Sequence, residues 1–81
     1  MYKILSFYEF DDISLNKVTK NKIKILDFSK NNQILGTIIL SIEGINGTVS
    51  GPVKSIDSLS DLLIDLGYKC NIKFSLSEKK P

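Results

Sequence analysis

The sequence predicts an α+β sandwich: one four-stranded antiparallel sheet with two helices on one face, in the order β-α-β-β-α-β. Three observations carry that prediction. Runs rich in aromatic and branched apolar residues recur at 2–10, 35–42 and 70–76, as half-buried or central strands require. Apolar residues at spacings of three and four fill residues 56–66, the mark of a helix with one buried face. An Asn46-Gly47 dipeptide follows the second apolar run, a strong local signal for a hairpin turn.

Each element follows from its residues. In the first strand, residues 2–10, Ile4, Ser6, Tyr8 and Phe10 share one face and Leu5, Phe7 and Glu9 the other. Both faces are largely apolar, which suits a central position in the sheet. Asp11 and Asp12 end it. Over residues 14–30, Leu15, Val18, Ile25 and Leu26 fall within one third of a helical wheel, with Lys17, Lys20 and Lys24 on a separate face. Lys22 intrudes on the arc, Phe28 lies outside it and Lys22–Ile25 also fits strand alternation, but helix is favoured. Residues 35–42 form a second strand. Asn46-Gly47 is then read as a type I′ turn, with Gly44 and Gly51 easing the backbone around it, and Thr48-Val49-Ser50 as the returning third strand. Ser55 is the expected cap of the second helix, with Asp57 in its first turn. Ile56, Leu59, Leu62, Leu63 and Leu66 form its buried stripe, and Gly67 its left-handed stop. Residues 70–76 alternate with period two as a fourth strand. This order is the split βαβ pattern of a ferredoxin-like sandwich over a single domain, residues 1–81.

Composition bounds the chemistry. Among 81 residues there is no His, no Arg and a single Cys. Within one chain this excludes a His/Cys zinc site, a Ser-His-Asp or Cys-His pair and a disulfide framework. The formal charge of +2 is too mild to demand a nucleic-acid partner or to exclude one. The longest apolar stretch, Leu35 to Ile42, is far below the roughly 20 residues of a membrane span, and acidic residues follow the N-terminal strand before a signal-peptide core can develop. A cytoplasmic protein with no membrane association is expected.

The densest unusual segment is Glu43-Gly44-Ile45-Asn46-Gly47-Thr48-Val49-Ser50-Gly51. Its glycines, carboxylate, amide and hydroxyls fit either a loop whose backbone N–H groups face an anion or a plain tight turn. It lacks the Gly-Lys-Ser/Thr ending of a Walker-type phosphate loop. This run resembles the Glu-Gly-Ile-Asn-Gly-Thr-(Ile/Val)-(Ser/Ala)-Gly signature of the rhodanese-domain tRNA uridine hydroxylases. The first strand is similar to that family's Tyr-x-Phe strand through Tyr8 and Phe10, and Gly36 stands where the family has Gly ahead of its second strand. Residues 74–81 are similar to the family's segment leading into Pro-Phe and a basic final strand. At Ile42 the sequence departs from the family, which more often has an acidic residue there.

The resemblance implies an N-terminal acylphosphatase-like domain of a larger protein that also contains a rhodanese domain. The whole enzyme uses molecular oxygen to place a 5-hydroxyl on the wobble uridine of certain tRNAs, and its reactive Cys belongs to the rhodanese part. By that reading these 81 residues hold no catalytic residue, no metal and no cofactor. Cys70 is expected to be a packing or incidental thiol. The domain would position tRNA or pack on the rhodanese domain, with Glu43, Gly44, Asn46, Gly47 and Thr48 as the candidate contact loop. Lys17, Lys20, Lys24, Lys73, Lys79 and Lys80 are the candidate RNA-contact lysines, since such cations can follow a phosphate backbone. Tyr2, Phe7, Tyr8 and Phe10 are read as core aromatics; stacking on bases requires that they face outward. Because the family's basic final segment is missing here, the last strand is expected to be short, leaving a sheet edge open to self-association. Two rivals stand beside this reading: a stand-alone protein-interaction module from a truncated gene, and acylphosphatase activity. The latter lacks the Arg that clamps phosphate in that enzyme class.

Overall fold

The computed structural model describes residues 1–81. Strand β1 (Tyr2–Phe10) leads through a short acidic connection into helix α1 (Leu15–Asn31). Strands β2 (Leu35–Ser41) and β3 (Gly44–Pro52) follow as a hairpin, then helix α2 (Val53–Asp65) and strand β4 (Asn71–Ser77). The sheet runs β2-β3-β1-β4 with every pair antiparallel, the ferredoxin-like order. No helix is long and apolar enough to cross a membrane.

Alternation along β1 sorts the residues as expected. Leu5 and Phe7 point toward the helices and are 1% and 2% exposed, while Ser6, Tyr8 and Phe10 point the other way. The core is completed by Ile45 and Val49 of β3, Ile56, Leu59 and Leu63 of α2, Ile25 of α1, Ile34 and Tyr68. The helices pack on β1, β2 and β3, and neither packs on β4.

Helix α1 corrects the expected apolar arc. Val18 and Ile25 are buried, but Leu15 and Leu26 are exposed and the third buried position is Asn21. That amide is accommodated because its Nδ2 donates to the Tyr68 hydroxyl at 2.9 Å, so neither polar group is left without a partner in the core. Ser14 caps the helix by accepting from the Lys17 N–H. Gly67 adopts the left-handed conformation after α2, as read from the sequence. Ser55 is not a cap: α2 begins two residues earlier, with Pro52 before its first turn and no side-chain cap.

The larger correction is the hairpin. Asn46-Gly47 is not a turn. Ile42 and Glu43 make the two-residue connection, and Ser41 pairs with Gly44 across it. Folding the chain at 46–47 would leave only Thr48–Ser50 to return, with most of β2 unpaired. Folding it at 42–43 lets all of Leu35–Ser41 pair with Gly44–Ser50. Long-range pairing overrides the local Asn-Gly preference. Gly44, at φ +142, is needed at the turn because a Cβ there would run into the Glu9 carbonyl. Gly47 has no left-handed φ; it is Gly because the Phe7 ring and the Thr37 carbonyl each lie 2.8 Å from where its Cβ would be.

Candidate functional site

The helices cover one side of the sheet and leave the other open. The strand registers place its residues in transverse rows. Thr37, Thr48, Ser6 and Lys73 form one row across all four strands, and Ile39, Asn46, Tyr8 and Asn71 form the next. The Ser6 and Thr48 hydroxyls are hydrogen-bonded at 3.2 Å. Between these rows lies a concave region of about 650 Å³ whose lining carries one charge, Lys73. At the Tyr2 end of the same face a second hollow is lined by Tyr2, Leu35, Ser50, Lys80 and Pro81, again with a lysine as its one charged side chain.

The nine-residue signature is therefore a turn and a strand, not a loop presenting backbone N–H groups. β3 lies between β2 and β1, and its backbone is committed to ladders on both sides. Of the candidate contact residues, Asn46 and Thr48 reach the open face, Glu43 is exposed at the turn, and Gly44 is buried beneath Phe10 of β1. Gly47 makes room for Phe7. The turn carbonyls are also occupied: Glu43 O accepts from the Asp11 N–H and Ile42 O from the Ile13 N–H, each at 3.0 Å.

The lysines do not form one patch. Lys17, Lys20 and Lys24 are exposed on α1, in the helical layer. Lys73 lies across the sheet from them on the open face, and Lys80 at its Tyr2 end. Lys79 is engaged in a local turn, its backbone N–H donating to the Ser77 hydroxyl and its carbonyl accepting from it.

Two aromatics read as core face outward. Tyr8 is 49% and Phe10 85% exposed on the open face, with ring centroids 5.9 Å apart and planes tilted by 55°. Phe7 is buried as expected and Tyr2 partly so. The available signal was Ser6: a hydroxyl in the middle of a strand, on the same parity as Tyr8 and Phe10, marks the solvent side. Asn71 and Thr37 were also missed, since only the strand registers bring them beside Tyr8 and Thr48.

Cys70 packs against the edge of the core just before β4. Burial, with a smaller contribution from the Glu9 carboxylate, pushes its thiol up to about 11. It is therefore protonated at neutral pH, the opposite of an activated nucleophile.

Comparison with known proteins joins the fold and the signature. Residues 2–81 match the model of the UPF0176 acylphosphatase like domain. Curated relatives include a "tRNA uridine(34) hydroxylase" of Prochlorococcus marinus (strain NATL2A), 38% identical over 98% of this chain and 25% of its own length. Another, of Acinetobacter baylyi, is 32% identical over 96% of this chain and 24% of its own length. The chain thus spans about a quarter of the length of the curated relatives it matches. Among solved structures, a DUF3240 family protein from Shewanella baltica superposes with a TM-score of 0.52 at 11% identity, covering 99% of this chain and 93% of that one. The de novo designed protein Foldit4 superposes with a TM-score of 0.51 at 12% identity, covering 99% and 100%. These last two likenesses are of fold alone. The end-to-end match, together with a βαββαβ sheet carrying the nine-residue signature on its turn and third strand, shows that the chain belongs to the UPF0176 acylphosphatase-like domain family.

Proposed function

We propose that this domain serves a tRNA uridine hydroxylase as a non-catalytic, tRNA-positioning module. The observation that carries the reading is the match over essentially the whole chain to one quarter of relatives named tRNA uridine(34) hydroxylase. The state of Cys70 supports the non-catalytic half, because its one thiol is held protonated rather than activated. Oxygen-dependent hydroxylation of the wobble uridine then belongs to the remainder of such a protein, with its rhodanese domain as the companion.

The test is to incubate the purified chain with tRNA and oxygen, follow binding by gel shift over a salt series, and analyse the nucleosides by mass spectrometry. Salt-sensitive tRNA binding with no 5-hydroxyuridine is expected. Formation of 5-hydroxyuridine by the chain alone would overturn the non-catalytic role, and no tRNA binding at low salt would overturn the positioning role.

A second reading, packing on a rhodanese domain, is favoured by a specific feature. Ile72, Phe74 and Leu76 of β4 form an apolar row on the helix side of the sheet where neither helix reaches, and all three are about half exposed or more. Such a row, beside the open β4 edge, suits a protein contact, either with a companion domain or with a second copy of this chain.

A further inference from the structure

From the open face of the sheet we infer a binding site for an unpaired stretch of RNA, with Tyr8 and Phe10 as its base-stacking rings; this rests on the tRNA-positioning reading and says where on the domain the RNA lies. Three features of the face support it together.

The first is the pair of rings. Tyr8 and Phe10 stand two residues apart on a central strand, exposed to solvent, and at a 55° tilt they are not stacked face to face on each other. Exposed rings on the open face of a four-stranded sheet are a recurring platform for splayed-out bases. The second is what flanks them. Asn46 on β3 and Asn71 on β4 are the direct cross-strand neighbours of Tyr8, one on each side. A base stacked on Tyr8 lies between two carboxamides, each able to donate and accept along its edge. The third is charge. Lys73 is the one charged side chain in the central hollow and Lys80 the one at the Tyr2 end, whereas Glu9 and Glu43 line the hollow at the Phe10 end. A polyanion therefore suits the centre and the Tyr2 end of the face. From Tyr2 to Phe10 the strand extends about 26 Å at roughly 3.3 Å per residue, room for several nucleotides.

The face is poorly suited to a protein partner by comparison. The centre of a protein interface is depleted in charge and enriched in apolar groups. Here the exposed apolar residues Leu35, Ile39 and Phe10 lie at the margins and the centre is a row of hydroxyls with a lysine, whereas the continuous apolar row Ile72, Phe74 and Leu76 is on the reverse side of β4. The α1 lysines lie across the sheet from the rings and cannot share one short strand with them.

The test uses the 81-residue chain and a fluorescein-labelled eight-nucleotide oligouridylate, with binding followed by anisotropy and mapped by amide chemical shifts. Shifts centred on Tyr8, Asn46, Asn71 and Lys73 are expected. Tyr8→Ala should weaken binding about fivefold or more, with Tyr8→Phe retaining it and Lys54→Gln on α2 within twofold of the unaltered chain. Tyr8 is exposed, so these variants should keep the native amide spectrum. If oligouridylate or tRNA binds but is insensitive to Tyr8→Ala and lost in Lys20→Gln/Lys24→Gln, the open-face site is overturned while the tRNA-positioning reading stands. If neither oligouridylate nor tRNA binds, both fall. If the Tyr8 and Phe10 signals move with protein concentration alone, the face is a protein contact and the site is overturned.

Discussion

β3 and β4 flank the same central strand, both antiparallel to it, yet one is among the most enclosed parts of the molecule and the other among the most exposed. On the helix side of β3, Ile45 and Val49 are each 3% exposed beneath α2. On the same side of β4, Ile72, Phe74 and Leu76 are 48%, 60% and 55% exposed. Both strands alternate polar and apolar residues with period two. The alternation identifies the side suited to burial; only the helix positions determine whether anything covers it. Stability should therefore be concentrated around β1, β3 and α2, with β4 held mainly by its ladder to β1.

The largest expected effect tests that division directly. Leu59→Ala, at a fully buried position over the sheet, should cost about 2–5 kcal/mol in urea unfolding. Phe74→Ala should cost less than about 1 kcal/mol, since its ring is mostly in water with the Lys3 ammonium over one face. Equal costs would mean that β4 is covered in solution, by a second copy or by a rearranged helix.

The next effect concerns why β3 is so tightly enclosed. Gly47→Val should cost about 1–3 kcal/mol, because the new side chain must displace the Phe7 ring or the Thr37 carbonyl. Asn46→Ala, at an exposed strand position, should change the melting temperature by only a degree or two. The reverse order would restore a turn at 46–47.

The smallest effect lies at the start of β4. The Cys70 thiol is raised from 9.0 to about 11 in the fold, so between these values the unfolded chain loses a proton that the native one keeps. Its contribution is complete below about pH 9 and is lost as pH rises through about 11. Because the group is only partly enclosed, the difference between the unaltered chain and Cys70→Ser should be about half a kcal/mol across that range. A flat difference would place the thiol in bulk water.

Much of the architecture was legible in the residues. β1, β2 and the stripe of α2 followed from periodicity and Gly67 from its stop position, whereas of α1 the helix was legible but only Val18 and Ile25 of its expected apolar arc are buried. What was not legible involved partners distant in sequence. Asn46-Gly47 has the local chemistry of a turn, but the register that pairs all of β2 overrides it. No local pattern assigns Asn21 to the core; its acceptor, Tyr68, lies 47 residues away. Strand aromatics usually pack in a core, and nothing local but the Ser6 hydroxyl sets Tyr8 and Phe10 apart from that pattern. Their exposure follows from a fold that covers one sheet face only, leaving the other to solvent. For the same reason the candidate lysines of α1 and Lys73 of β4 lie on opposite sides of the sheet.

The Phe7 ring beneath Gly47 has a consequence in dielectric terms. With no side chain at Gly47, that ring fills the space under the hydroxyl row, and Leu5 and Val49 extend the same hydrocarbon slab. Lys73, on the edge strand beside that slab, meets weakly polarising material only on its β1 side. Field lines that cannot spread into the slab are directed toward solvent above the open face. A cation so placed acts at a distance, through encounter more than through grip. In the proposed RNA complex an approaching polyanion would sense Lys73 before it touched any ring, so this lysine would govern how fast the complex forms and contact with the rings how long it lasts.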